Sequence, residues 1–186
     1  MKILKIIGVV ILAVLVIGAI LTSLQPAQGH IEKHIVINAP ASTVYQELNS
    51  FKSFAKWSPW SKMDPEANYK FEGPEAGVGA RMSWDGKKVG KGSQWIEESV
   101  ENAKIRNGLS FEGMDGKASA EFIITPMGNG TDLKWSYDGD NGGLMGKAVW
   151  MFMSKMLEDQ YEQGLTDLKA YLESVPTTPD STQVVH

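Results

Sequence analysis

Gly92–Tyr137, GSQWIEESVENAKIRNGLSFEGMDGKASAEFIITPMGNGTDLKWSY, is a succession of short alternating runs broken by glycine and asparagine. The spacing predicts strands at Gly92–Ser99, Lys104–Phe111, Lys117–Pro126 and Thr131–Tyr137. The breaks fall at Glu101-Asn102, at Gly113 to Gly116 and at Gly128-Asn129-Gly130, where such residues reach the positive φ that tight hairpins need. Toward the N-terminus the same texture continues through Ala80–Trp84 and Tyr69–Glu72, set off by turns at Asp85-Gly86 and Gly73 to Gly79. Farther back, His30–Asn38 (HIEKHIVIN) alternates Ile31, Lys33, Ile35 and Ile37 against Glu32, His34 and Val36 and adds a seventh strand. An antiparallel succession of that length makes a curved sheet whose apolar face another layer has to cover.

Between the first strand and the hairpins, Pro40-Ala41-Ser42-Thr43 opens a short helix with Val44, Leu48 and Phe51 at helical spacing. Ser50, ahead of Phe51, Phe54 and Trp57, opens a second, and Pro59 in Trp57-Ser58-Pro59-Trp60 bars its continuation. The cover for the sheet is the last element, a helix from about Gly143 to Ser174. Met145, Val149, Phe152, Met156, Leu157, Tyr161, Leu165, Leu168, Leu172 and Val175 recur at threes and fours, which predicts one stripe facing the sheet. Glu158, Asp159, Glu162, Asp167 and Lys169 mark the wet side. Ala148–Met153 (AVWMFM) is apolar all round, so that end is expected to be buried on more than one side or offered to another apolar phase.

Outside this domain, Ile6–Leu21 is an uninterrupted apolar run. Counted on to Leu24, it crosses a hydrocarbon core of roughly 30 Å at about 1.5 Å per residue. The expected organisation is a cytoplasmic N-terminus over 1–5, a transmembrane anchor over 6–24, a linker over 25–29, a folded domain over 30–175 and a disordered tail over 176–186. Lys2 and Lys5 precede the run, and the first charges beyond it are Glu32 and Lys33. The positive-inside bias therefore places Met1 in the cytoplasm and the domain outside, in the periplasm if the source is bacterial. Ala27-Gln28-Gly29 keeps a cleaved signal peptide open as an alternative, and both readings export the domain. The absence of cysteine excludes a lipoprotein anchor, disulfides and thiolate metal sites. Setting Lys2 and Lys5 aside leaves 16 basic against 22 acidic residues, a net charge of −6, which disfavours nucleic acid and anionic lipid as partners.

One strand, two short helices, six hairpin-linked strands and a long C-terminal helix resemble the helix-grip fold of the START/Bet v 1-like (SRPBCC, polyketide cyclase and lipid-transport) superfamily. Ile35–Pro40 (IVINAP) followed by Val44 looks like that superfamily's entry from strand to helix. Trp57–Trp60 (WSPW) with Asp64-Pro65 looks like its segment after the second helix. Further matches are Gly77-Val78-Gly79-Ala80 with Trp84, Gly90-Lys91-Gly92, Gly130-Thr131 with Trp135, and Tyr161–Leu165 (YEQGL) with Leu168-Lys169. The resemblance spans about Ile31 to Glu173 and rests on the order of these motifs. It implies an α+β helix-grip domain, a seven-stranded curved antiparallel sheet with two short helices and a long C-terminal helix, here preceded by one transmembrane helix. It also implies a cavity between sheet and helix, which different members use for lipids, sterols, hormones or polyketides. Few members are enzymes, and a shared shape does not assign a chemistry.

Six tryptophans and nine methionines suit an adaptable apolar pocket. The ligand-binding candidates are Trp57, Trp60, Met82, Trp84, Asn107, Leu109, Trp135, Tyr137, Phe152, Met156 and Gly164. Met82 and Trp84 share a strand face, as do Trp135 and Tyr137, and Asn107 brings an amide to the face of Ile105, Leu109 and Phe111. Gly164 interrupts the last helix at a cost of about 1 kcal/mol relative to alanine. Either a close approach of the backbone to the sheet or room for a ligand would repay it. His30 and His34 share a face without a carboxylate or cysteine to complete a ligand set, so no metal site is expected. No catalytic residue and no cofactor are nominated, and no nucleotide, zinc-protease or nucleophile-elbow signature occurs. The expected function is a membrane-tethered binding protein for a hydrophobic or amphipathic small molecule, with lipids among the candidates. The alternatives are a cyclase- or hydrolase-like enzyme, which needs a general acid or base in the cavity, and an interaction module of an envelope complex.

Overall fold

The computed structural model describes residues 2–114 and 116–174; the expected tail over 176–186, and Val175, lie outside the described residues. Helix α1 (Lys2–Ser23) leads to β1 (Gln28–Ile37), followed by α2 (Ala41–Leu48), α3 (Phe51–Trp57) and α4 (Pro59–Met63). Then come β2 (Asn68–Glu72), β3 (Arg81–Gly86), β4 (Gly90–Val100), β5 (Lys104–Phe111), β6 (Ala118–Met127), β7 (Gly130–Asp140) and α5 (Gly143–Ser174). The strands form one seven-stranded sheet in the order β1-β7-β6-β5-β4-β3-β2. Every pairing is antiparallel, with the first strand returning to the last from Gln28 opposite Asp140 to Ile37 opposite Thr131. A bulge between Ile96 and Glu98 interrupts the β4–β5 register and adds local bend. With α5 across the inner face, this is the helix-grip α+β architecture.

Three features differ from the sequence expectation. The short helices number three, because Pro59 starts a helix as well as ending one. At its first position the missing N–H costs nothing, and the fixed φ suits the turn. Second, β1 begins at Gln28, two residues earlier than expected. Asn141 holds the segment ahead of it: its N–H donates to the Ala27 carbonyl at 2.9 Å and its Nδ2 to the Pro26 carbonyl at 3.0 Å.

The third difference lies in α5, where one stripe becomes two. Tyr161, Gly164, Leu165, Leu168 and Leu172 are buried against the sheet, and Trp150 and Leu157 pack at the edge of the same core. Met145, Val149, Phe152 and Met156 are exposed. At about 100° per residue these four fall on the opposite side of the helix from the buried stripe. Periodicity finds that an apolar set lies on one face, and here two sets interleave in one run.

The core joins α2, α3 and α5 to the sheet through Ile37, Val44, Trp57, Ile105, Leu133 and Leu168, all at most 1 % exposed. Two polar staples brace it. Buried Thr131 donates from Oγ1 to the Ala39 carbonyl at 2.7 Å, fixing the turn after β1 to β7. Buried Asp64 accepts the backbone N–H of Lys88 at 2.7 Å, which ties the end of α4 to the β3–β4 hairpin. Each replaces water on a group that would otherwise be buried unpaired.

Candidate ligand cavity

The inner face of the sheet is unevenly filled. Toward β7 the Trp135 ring is stacked between Phe122 at 4.9 Å and Tyr161 at 4.1 Å. Trp60 meets it edge-on at 5.8 Å, as does Trp57, and Phe54 lies 4.7 Å from Trp57. Gly164 makes this stack possible. A Cβ there would sit 2.8 Å from Trp135 Cζ3 and 3.2 Å from Pro59 Cδ, so the space its missing side chain leaves is taken by the Trp135 ring.

Toward β3 and β4 the filling stops. Across the sheet Tyr137 pairs with Ala120, Ala120 with Asn107 and Asn107 with Ile96, so small or short side chains face the helix in the middle of that row. In the neighbouring row Met82 pairs with Gln94 and Gln94 with Leu109. In the next, Gly92 stands between Trp84 and Phe111. A Cβ on Gly92 would come within 2.4 Å of the Trp84 ring, so glycine lets that indole lie across β4, with its centroid 5.9 Å from Phe111. The result is a cavity of about 120 Å³ lined by these rows, Ile96 and Gly92 excepted, together with Phe54, Ser58, Trp60, Tyr69, Leu157 and Tyr161. That is below the roughly 300–1,000 Å³ of drug-sized ligand sites and near the roughly 150 Å³ of an engineered cavity that takes benzene. It suits a body of about one ring, or one segment of something longer.

The wall is mainly apolar, and four of its residues carry a polar atom without a partner. Ser58 Oγ, Tyr69 Oη, Asn107 Oδ1 and Trp135 Nε1 are buried without a hydrogen-bond partner, and all four residues line the cavity. Asn107, Trp135 and Ser58 are each no more than 2 % exposed. A buried polar atom left unpaired costs about 1–3 kcal/mol, and these four belong to residues around one hollow. The ionisable groups in the lining are tyrosines. Burial pushes the Tyr137 phenol up and the Tyr161 phenol well up from the usual value of 10, and the nearby Asp138 acts in the same direction on both. Both therefore stay protonated near neutral pH.

Of the candidates read from the sequence, the cavity brings together Trp60, Met82, Trp84, Asn107, Leu109, Trp135 and Tyr137. Trp57 is buried in the aromatic stack behind the lining, and Gly164 packs on Trp135. Phe152 and Met156 point away into the exposed face of α5. Gln94 and Ser58 were missed, since a polar residue in a strand or loop reveals its side only once register is known. Tyr161 belonged to the stripe of the last helix that faces the sheet, and it lines the cavity as well. His30 Nδ1 lies 2.7 Å from Asp138 and His34 Nδ1 3.6 Å from Asp132, each a separate pair, and no group of three or more potential metal ligands occurs among the described residues.

Comparisons with known proteins agree with this architecture. A protein of Chromobacterium violaceum matches with a TM-score of 0.58 and 23 % identity, over 78 % of this chain and 98 % of that one. The Ara h 8.0201 crystal structure matches with a TM-score of 0.57 and 11 % identity, over 80 % and 99 % of the two chains. The di-domain ARO/CYC StfQ from the steffimycin biosynthetic pathway matches with a TM-score of 0.58 and 12 % identity; the match covers 79 % of this chain and 52 % of StfQ. At these identities the likeness is one of fold. No curated protein sequence matches significantly. The family model described as polyketide cyclase / dehydrase and lipid transport matches residues 28–173, the whole helix-grip domain from β1 to the end of α5, and the chain belongs to that family.

Proposed function

We propose that the domain is a non-catalytic binding protein for a small amphipathic molecule, held beside a membrane by α1. The observation that carries this reading is a mainly apolar hollow whose lining residues include Asn107, Trp135, Ser58 and Tyr69, each with a buried polar atom that has no partner and that a bound molecule with polar groups could engage once the lining adjusts to it. A purely apolar ligand would leave all four unsatisfied. An acyl lipid longer than the cavity would seat one segment, with the remainder outside or with α5 displaced. No carboxylate, imidazole or ammonium is among the lining residues, which favours binding over acid–base chemistry.

The tether supports the same reading. Lys5–Ser23 within α1 is long and apolar enough to cross a membrane, and α1 stands clear of the domain along most of its length. Lys2 and Lys5 at its start favour a cytoplasmic N-terminus with the domain on the far side. Anchoring raises the effective concentration of the cavity near membrane-derived molecules without a basic surface.

Matched pairs of one-ring compounds test the function. Phenol and toluene differ by a hydroxyl for a methyl, and both are of the size the cavity takes. Phenol should raise the melting temperature of the full chain more than toluene at equal concentration, and Asn107→Leu should remove that preference. Equal shifts from both, or none from either, would contradict the reading.

A further inference from the structure

We propose that the first half of α5 is itself a membrane-contact element, lying in the boundary between headgroups and acyl chains with Met145, Val149, Phe152 and Met156 turned into the bilayer. The inference rests on the reading of α1 as a membrane anchor and adds a second contact that neither the family nor that anchor requires. Its first support is the exposed stripe. Met145 is 79 % and Phe152 74 % exposed, with Val149 and Met156 beside them on one helical face and Leu144 and Met153 flanking it. Two turns later the same face is polar, at Asp159 and Gln163. An apolar strip that long on a lone surface helix marks a contact with another apolar phase.

The second support identifies that phase. The link from α1 to β1 is four residues, 24–27, and it is pinned. Asn141 binds Pro26 and Ala27, Lys147 Nζ donates to the Ser23 carbonyl at 3.1 Å, and Thr22 is buried. The first turn of α5 therefore sits where α1 ends, which is where an anchor leaves the bilayer. From Met145 to Met156 the strip runs about 16 Å at 1.5 Å per residue. The third support is charge. Between Asn141 and Leu157 the only charged residues are Lys147, whose Nζ donates to the Ser23 carbonyl, and Lys155, paired with Asp159, so the strip itself carries no carboxylate and two cations whose stems can lie on apolar surface with their ammonium groups at its polar edge. A protein partner would demand no such restriction to lysine, so the bilayer is the occupant these features select.

The chain has no cysteine, which allows single introduced thiols to carry an environment-sensitive fluorophore. Full-length Val14→Cys, Phe152→Cys, Met156→Cys and Gln163→Cys variants would be labelled and reconstituted into phosphatidylcholine vesicles. Quenching by a lipid-borne nitroxide is then compared with quenching by aqueous iodide. The proposal predicts that the nitroxide removes most of the signal at 14, 152 and 156 and that iodide reaches 163. Iodide quenching at 152 and 156 with lipid quenching at 14 would overturn the proposal while leaving the anchor in place. Loss of lipid quenching at 14 would overturn both. Protection of 152 and 156 from both quenchers would assign the strip to a protein contact, including a second copy of the chain, and would also overturn it.

Discussion

The two sides of the sheet's inner face are built from similar residues and end in opposite states. Toward β7, Trp135 is clasped by Phe122, Tyr161, Trp60 and Trp57, and even a glycine in the covering helix is used to let the ring in. Toward β3 and β4, Trp84, Met82 and Phe111 form a rim around Ala120, Gln94 and Asn107, and a cavity remains. Abundance of aromatics therefore does not distinguish core from pocket; the small and polar residues opposite them do. The filled side should be sensitive to volume, and the hollow side to hydrogen bonding.

The largest effect is expected on the filled side. Trp135→Ala should destabilise the fold by about 3–5 kcal/mol, read from denaturant midpoints, because it removes the ring that two others stack on. Gly164→Ala comes next. Its methyl would meet the Trp135 ring at 2.8 Å, an overpacking cost of about 1–3 kcal/mol that the gain of about 1 kcal/mol in helix propensity offsets only in part. A stabilised Gly164→Ala variant would show that the ring can yield and that the two sides share their slack.

On the hollow side the sign changes. Asn107→Leu should leave stability within about 1 kcal/mol of the parent or raise it, since a buried amide whose Oδ1 has no partner is exchanged for an apolar group of similar size. Strong destabilisation by Asn107→Leu would place the amide in the structural core instead.

The smallest effect near neutrality is the pH response of the buried phenols. Tyr161 is held protonated with a pKa well above its unfolded value of 10. Its contribution to stability is therefore complete below pH 10 and is lost as the pH rises from there toward the folded-state value. Absorbance titration of tyrosinate should show Tyr161 ionising together with unfolding rather than before it.

The strands and the covering helix were legible because glycine-marked turns and period-two runs report local geometry directly. So was much of the lining: Met82, Trp84, Asn107 and Leu109 fall on the inner face by alternation alone. What stayed hidden depended on pairing between distant segments. Gln94 becomes a cavity residue only because β4 sets it between Met82 and Leu109, and Ser58 only because α3 and α4 break at Pro59. The exposed position of Phe152 and Met156 stayed hidden for the same reason. Spacing groups them with Leu157 and Tyr161, and nothing local says that the sheet takes only one of the two sets.

The central claim is that the hollow side is a binding site and not a packing defect. Native mass spectrometry of the full chain, released from membrane nanodiscs prepared from its own host, tests it most directly when run beside Asn107→Leu. The account predicts a small co-purifying mass on the parent chain that is lost or strongly reduced in the variant, with folding unchanged. A bare parent chain, or a bound mass indifferent to Asn107, would contradict it.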